Sequence, residues 1–151
     1  MGERKKTRQI LVGKVKMGGG APVTIQSMLN TPAEDFAASV EQAKRLEAAG
    51  CEIIRAAIPN LQSVPLIERL KKAVSVPIVA DIHFDYRLAL EAVAAGVDKV
   101  RINPGNIGDE DRVRQVVQCC KQHNVPIRVG VNSGSLEKHI LAKYGAPVPE
   151  A

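Results

Sequence analysis

The fold is decided by the stretch Ala94-Ala95-Gly96-Val97-Asp98-Lys99-Val100-Arg101-Ile102-Asn103, in which the end of a helix leads into a short strand. Successive side chains of a strand point to opposite faces, so Lys99, Arg101 and Asn103 share one face and the apolar residues between them share the other. A strand of a doubly wound sheet is covered on both faces and is apolar throughout. The alternation therefore favours a barrel, whose helices cover the outside and whose mouth carries the polar side chains.

The chain repeats this unit, since Ala48-Ala49-Gly50 leads to Arg55 at the spacing with which Ala94-Ala95-Gly96 leads to Arg101. Predicted strands cover residues 23–28, 52–58, 77–83, 99–103 and 127–132, and predicted helices cover 31–49, 62–73, 85–96, 109–123 and 135–143. A capping box at Thr31-Pro32-Ala33-Glu34 is expected to open the first helix. Five such βα units predict a parallel sheet.

We therefore assign the fold class α/β, a (β/α)8 TIM-barrel type truncated to about the first five βα units and preceded by a β-hairpin arm. Residues 1–20 are expected to form the basic arm with its hairpin, and residues 21–151 a partial barrel. A complete barrel needs about 250 residues. Five strands leave two open sheet edges, so we expect either a fragment of a longer protein or assembly with another copy, and we favour the fragment.

Composition limits the classes of function. A hydrophobic content of 45% and a charged content of 25% are typical of a soluble globular protein. Met1 is followed by the basic run 4–8 rather than by an apolar signal segment, so we expect a cytoplasmic protein with no membrane partner. The net charge is +5, but with 3% aromatic residues and no Trp we expect no nucleic-acid partner.

The cysteines do not form a recognisable framework. Cys51, Cys119 and Cys120 are odd in number and include no CxxC pair. We therefore expect no disulfide framework and no metal site in this chain, and we expect the adjacent pair to pack beside the buried face of a helix.

Three arginines occupy matching places, because Arg55, Arg101 and Arg128 each lie late in a short apolar strand. In α/β barrels the binding groups project from the carboxyl ends of the strands. An ionised guanidinium is costly inside a fold unless a negative group meets it, and its fork matches phosphate oxygens. The pattern therefore predicts a site for a phosphorylated or diphosphate ligand. The other polar residues at these strand ends are Gln26, Ser27, Asn30, Asp81, His83, Asn103, Asn106, Asn132, Ser133 and Ser135.

Structural explanations for these residues stay open at this point. Asp81 could simply pair with Arg101 on the next strand, and His83 could be a core histidine whose hydrogen bonds are satisfied. The segment from Asn103 to Asn106 could serve only to build a turn.

Four segments of the chain resemble one known family. They are Gln26-Ser27-Met28, Ala80-Asp81-Ile82-His83-Phe84-Asp85, Arg101-Ile102-Asn103-Pro104-Gly105-Asn106-Ile107-Gly108, and Gly130-Val131-Asn132 with Gly134-Ser135-Leu136-Glu137. In this order they are similar to the N-terminal part of the 4-hydroxy-3-methylbut-2-en-1-yl diphosphate synthases of the methylerythritol phosphate route to isoprenoids. The resemblance runs from about Lys6 to Glu150, and it departs at Leu29, where the family usually has Thr.

The resemblance implies an iron–sulfur oxidoreductase that reductively opens 2-C-methyl-D-erythritol 2,4-cyclodiphosphate, with flavodoxin or ferredoxin as the electron donor. It also implies a full-length homodimer in which a C-terminal domain, absent from this chain, holds a [4Fe-4S] cluster. Carried over by position, the substrate-binding residues are Arg55, Asp81, His83, Arg101, Asn103, Arg128 and Asn132. No catalytic residue is assigned, and we expect the chain to be inactive alone. The lack of a transit peptide favours a bacterial source.

Two other interpretations remain. The chain could belong to another anion-binding barrel, such as a dihydropteroate synthase-like pterin-binding domain, and ligand binding would then tolerate substitution of the three arginines. It could also be a non-catalytic binding remnant that contacts nucleic acid through the basic run 4–8, and its binding would then depend steeply on salt.

Overall fold

The computed structural model describes residues 5–150, so residues 1–4 of the predicted arm and Ala151 lie outside the described residues. The strands are β1 Ile10–Val12, β2 Val15–Met17, β3 Gln26–Met28, β4 Ile53–Ala57, β5 Ile78–Asp81, β6 Lys99–Ile102 and β7 Ile127–Val129. The helices are α1 Phe36–Ala48, α2 Pro65–Ala73, α3 Tyr86–Ala94, α4 Pro104–Ile107, α5 Glu110–Gln122 and α6 Lys138–Tyr144, with 3₁₀ turns at Leu61–Ser63 and Ser133–Ser135.

Strands β3 to β7 form one parallel sheet in the order β3-β4-β5-β6-β7. Each strand pairs with the next one along the chain, without the reversal of strand order that defines a doubly wound sheet. The residues in the strands, or directly after them, that pack with the helices in the main core are Ile54, Ala56, Ile58, Ile78, Ala80, Ile82, Val100 and Ile102. The predicted parallel sheet of barrel type, with its apolar face under the helices, is confirmed.

The predicted N-terminal hairpin is also confirmed, since β1 and β2 pair antiparallel. Val12 is fully buried and forms a second, smaller core with Ile53 and Val79 on the inner face of the sheet, with Met17 packed against it. Ile53 and Val79 lie early in their strands. The hairpin therefore covers the amino end of the inner face and leaves the carboxyl ends of the strands to the site.

The predicted capping box of the first helix is wrong. Helix α1 begins at Phe36, and the side chain of Asp35 caps it by accepting a hydrogen bond from the backbone of Ala38 at 3.0 Å. The Thr31 hydroxyl instead pairs with Ser39, and the Glu34 carboxylate accepts from Asn60. These distant partners occupy the side chains that a local capping box would have used. The end of α1 is as predicted, with Gly50 at φ 89° directly after the C-cap residue Ala49.

Several strands and helices are shorter than predicted. Strand β6 ends at Ile102 because Asn103 turns the chain into α4, a short helix where the sequence indicated only a turn. Its neighbour β7 ends at Val129, which pairs with Ile102, the last residue of β6. The final helix begins at Lys138, after the 3₁₀ turn, rather than at Ser135.

Candidate functional site

Asp81, the last residue of β5, is the centre of a charged cluster at the carboxyl end of the sheet. Its carboxylate is 2% exposed and accepts hydrogen bonds from Arg55 Nη2 at 2.5 Å and from Arg101 Nη1 at 3.1 Å. His83 Nε2 lies 3.3 Å from the carboxylate oxygen that Arg55 binds. The side chains of three successive strands therefore meet on one carboxylate.

The sheet register explains how two arginines reach one acid. Asp81 lies beside Arg101 on β6 and beside Ala57 on β4. Arg55 is two residues earlier on β4, on the same face as Ala57. Because Ala57 presents only a methyl group, the longer Arg55 side chain extends past it to the carboxylate.

The charges around Asp81 keep it ionised. Burial of the carboxyl raises its pKa, but the hydrogen bond and positive charge of Arg55, the hydrogen bond of His83 and the charge of Arg101 outweigh burial and hold the pKa below its ordinary value. Asp81 is therefore a fixed negative charge at neutral pH and not a proton donor. Its chemical use is to orient the two guanidinium groups.

Arg128 adds a third guanidinium at the same level, since it lies opposite Arg101 in the register of β6 and β7. Its side chain is exposed, and within residues 5–150 it forms no ion pair with an acid. Arg55 and Arg101 thus share one carboxylate, Asp81, and Arg128 lies beside Arg101 without an acidic partner among residues 5–150. The residues at this level carry an excess of positive charge, which favours an anionic ligand.

Two buried N–H groups at this end of the sheet have no hydrogen-bond partner among residues 5–150: Arg55 Nε and Asn103 Nδ2. Asn103 is 1% exposed, and its side-chain oxygen is already used, because it accepts from the backbone of Gly105 at 3.2 Å and so caps α4. A buried donor without a partner costs about 1–3 kcal/mol. An oxygen-rich ligand would supply the missing acceptors.

His83 lies at the rim of this cluster, with a side chain that is 39% exposed. Its ring meets the edge of Phe84 at a centroid distance of 6.2 Å, and Phe84 is 74% exposed. His83 is therefore not the fully satisfied core histidine that one interpretation of the sequence allowed. It can reach both Asp81 and a ligand above the sheet.

The remaining sequence-predicted residues do not join the cluster. Asn132 is exposed and, with Ser135, closes the 3₁₀ turn through backbone and hydroxyl hydrogen bonds of 3.1 and 3.0 Å. Asn30 is held by Gln42 of α1, whose amide donates to it at 2.7 Å. Asn106 is exposed on α4. Asp81 does pair with Arg101, so the structural explanation of that pair holds, but Arg55 shares the same acid.

Two residues of the inner face were not among the site residues predicted from the sequence. Gly130 accepts a hydrogen bond from Arg101 Nη2 at 3.1 Å through its backbone oxygen. Lys99 is 5% exposed on the inner face, with its ammonium 3.6 Å from Met17 Sδ, and burial followed by the charge of Arg128 lowers its pKa. Both share the strand face of predicted site residues, which is the signal that could have found them.

The described cysteines do not fit an iron–sulfur cluster. Cys51 is buried and lies 3.1 Å from the backbone oxygen of Ile53, and Cys120 is 1% exposed on α5. Burial, with a smaller effect from Cys119, raises the pKa of the Cys120 thiol to about 11, which disfavours the thiolate that a metal requires. Within residues 5–150 no group of three or more His, Cys, Asp or Glu side chains is placed to hold a metal ion.

Comparison with known proteins gives a family match over nearly the whole chain. The family model described as the GcpE TIM-barrel domain matches residues 7–151. The chain is 55% identical over 148 residues to the 4-hydroxy-3-methylbut-2-en-1-yl diphosphate synthase (flavodoxin) of Colwellia psychrerythraea, covering 98% of this chain and 39% of that protein. It is 54% identical to the protein of that name from Yersinia enterocolitica, covering 98% of this chain and 40% of the relative. The chain thus spans about two fifths of the relatives' length.

Solved structures show the same fold at low identity. Dihydropteroate synthase from Xanthomonas albilineans, in complex with 7,8-dihydropteroate, superposes with a TM-score of 0.65 over 91% of this chain and 54% of that chain, at 16% identity. At this identity the likeness is one of fold alone. Among the described residues, no helix has the length and apolar character needed to cross a membrane.

Proposed function

Because the chain belongs to the GcpE TIM-barrel family, we propose that it forms part of the substrate site of a 4-hydroxy-3-methylbut-2-en-1-yl diphosphate synthase. The single observation that carries the proposal is the convergence of Arg55 and Arg101 on Asp81, with Arg128 beside them at the strand ends. The substrate we propose is 2-C-methyl-D-erythritol 2,4-cyclodiphosphate, whose diphosphate oxygens match guanidinium donors.

The proposed ligand contacts follow from the hydrogen-bond donors of the cluster that are not already used. Arg55 Nε and Asn103 Nδ2 are buried without partners, and a diphosphate oxygen within reach would satisfy each of them. Arg128 would bind the ligand from the exposed side of the sheet, and Asn132 would contribute an amide donor from the loop after β7. These assignments are supported by the position of the four residues at the carboxyl end of the sheet.

Asp81 and His83 have a different proposed part. The Asp81 carboxylate would repel a bound phosphate if it faced it directly, so its use is to hold the Arg55 and Arg101 guanidinium groups in fixed orientations. Pre-oriented donors lose less side-chain entropy when the ligand arrives. His83, linked to Asp81 and partly exposed, would donate a hydrogen bond to the ligand at the rim.

The activity of the whole protein is part of the proposal. We propose that it reductively opens the cyclic diphosphate and that it acts as a homodimer. The names of the relatives support flavodoxin as the electron donor. A [4Fe-4S] cluster would relay the electrons from flavodoxin, and its ligands would come from outside this chain, since the described cysteines do not fit it. The division into an arm of residues 1–20 and a barrel part of 21–151, and the cytoplasmic location, stay predictions from the sequence.

The experiment begins with the native gene product purified without oxygen, whose mass, iron and sulfide are measured. A mass well above 16.2 kDa with about four irons per chain supports the proposal, whereas a 16.2 kDa product without iron contradicts the reductase activity.

Calorimetric titration of the same protein with the cyclic diphosphate then tests the binding site. Arg55→Gln and Arg128→Gln should weaken binding at least tenfold, while the matched change Arg114→Gln on the exposed face of α5 should not. Tight pterin binding that ignores the arginine changes would instead support the dihydropteroate synthase-like alternative.

A further inference from the structure

We propose that Gly130 is a positioning residue for Arg101: the missing side chain at this place lets the guanidinium lie against β7, where it is aimed at the bound diphosphate. The inference rests on the function proposed above. It concerns a residue that contributes only backbone atoms, so its effect on the ligand has to pass through Arg101.

The space at Gly130 is filled by the arginine. A Cβ atom built on Gly130 would lie 2.7 Å from Arg101 Nε, 2.9 Å from Nη2 and 3.2 Å from Cζ. Such distances are too short for non-bonded contacts to carbon, which are favourable near about 3.5–4.0 Å. Gly130 is not among the glycines with positive φ. The backbone would therefore accept alanine, and it is the guanidinium that requires glycine.

Hydrogen bonds hold the guanidinium in that space from both sides. Arg101 Nη2 donates to the backbone oxygen of Gly130, and Nη1 donates to Asp81, each at 3.1 Å. The backbone of Gly130 is itself fixed, because its N–H donates to Ile102 at 2.9 Å. A guanidinium has five N–H donors, so these two bonds leave others for phosphate oxygens.

Alanine at position 130 would displace the arginine rather than the strand. The guanidinium is the far end of a flexible side chain, so moving it costs less than shifting the strand backbone. Its hydrogen bonds to Asp81 and to residue 130 would be lost together. Gly134 provides a matched control, because a Cβ there would meet only Asn132 Oδ1, at an ordinary contact distance of 3.6 Å.

The test measures the affinity of the native gene product for inorganic pyrophosphate by calorimetry. The variants are Gly130→Ala, Gly134→Ala, Arg101→Ala and the double variant of Gly130→Ala with Arg101→Ala. We expect Gly130→Ala to weaken binding on the order of tenfold and Gly134→Ala to leave it unchanged. In the Arg101→Ala background, Gly130→Ala should cause no further loss, because no guanidinium remains to be displaced. Unchanged affinity of Gly130→Ala, or multiplied losses in the double variant, would overturn the inference.

The same four proteins separate this inference from the proposed function. Wild-type protein that binds neither pyrophosphate nor the cyclic diphosphate would overturn the proposed function, and with it the role of Arg101 in binding. The shift of the melting temperature needs no ligand, and it tests the contact between Gly130 and Arg101 directly. A double variant less destabilised than the sum of the single changes supports the inference, and additive shifts overturn it.

Discussion

Asp81 and Arg101 lie side by side in the register of β5 and β6, and the carboxylate of the first accepts from the guanidinium of the second at 3.1 Å. Because the other carboxylate oxygen accepts from Arg55, one acid orients two cations that come from the strands on either side of it. Ion pairs that only stabilise a fold usually balance their charges. Within the described part of the chain, this cluster has more cations than anions and two buried donors without a partner, which favours an anionic ligand.

Replacing Asp81 by Asn tests how much the fold depends on this acid. The variant would leave Arg55 and Arg101 without a counterion, although their side chains are 20% and 18% exposed and water would compensate in part. We expect the free energy of unfolding in urea to fall by about 2 kcal/mol, less than the loss for a fully buried pair. Asp111→Asn on the exposed surface of α5 is the control and should change it by under about 0.5 kcal/mol. Equal effects of the two changes would contradict a supporting role for Asp81.

The lowered pKa of Asp81 makes stability depend on acid pH. A carboxyl whose pKa in the folded state is below its unfolded value stabilises the fold above the unfolded pKa, near 3.8, and this contribution is lost as the pH falls through the folded pKa. We expect urea unfolding measured from about pH 7 to about pH 2 to show a smaller acid loss in Asp81→Asn than in the wild type. Since Glu47 and Asp85 also have lowered pKa values, both proteins should still lose some stability. Parallel pH profiles would show that Asp81 does not contribute.

Lys99 should be a destabilising residue. Its ammonium is buried beside Met17 Sδ, and within residues 5–150 it forms no ion pair with an acid. We expect Lys99→Met, which keeps the length of the side chain, to raise the free energy of unfolding by about 1 kcal/mol at neutral pH. Because burial lowers the pKa of Lys99, the gain should shrink as the pH rises towards the ordinary lysine pKa of about 10.4. Lys72→Met, at an exposed site on α2, is the control. A loss of stability in Lys99→Met, but not in Lys72→Met, would mean that the Lys99 ammonium has a stabilising partner.

The three cysteines should differ in reactivity with a thiol reagent. Cys51 and Cys120 are buried, and the pKa of Cys120 is raised to about 11, so little thiolate forms near neutral pH. We expect iodoacetamide to modify Cys119, which is partly exposed, before the other two. Mass spectrometry of peptides from the folded protein would measure the order. Modification at equal rates in urea would confirm that burial sets the difference, whereas early labelling of Cys120 in the folded protein would contradict it.

Strand alternation was enough to predict the sheet and the common face of Asp81 and Arg101. It could not predict that Arg55 reaches past Ala57 to the same acid, because that contact depends on the stagger between β4 and β5. The start of α1 was missed for a related reason. Glu34 binds Asn60, a partner distant in sequence, so the local capping pattern was misleading.

The role of Gly130 is a second feature that could not be predicted from the sequence alone. A glycine near a strand end is usually explained by a turn. Nothing in the local sequence shows when a glycine instead makes room for a side chain of the neighbouring strand. The contact of Gly130 with Arg101 joins residues 29 positions apart. Such a role becomes visible only when the register of β6 and β7 is known.

The buried amide of Asn103 gives a last prediction that separates binding from folding. Asn103→Ser keeps a side-chain oxygen that can cap α4, because serine is a good N-cap residue, but it removes the unpartnered Nδ2. We expect stability to change by less than about 1 kcal/mol and affinity for the cyclic diphosphate, measured by calorimetry, to fall about tenfold. The matched control is Asn60→Ser, since Asn60 caps the 3₁₀ turn after β4 in the same way, by accepting from Ser63 at 3.0 Å. If both variants bound the ligand like the wild type, Asn103 would be a capping residue only, and the buried donor would have no part in the site.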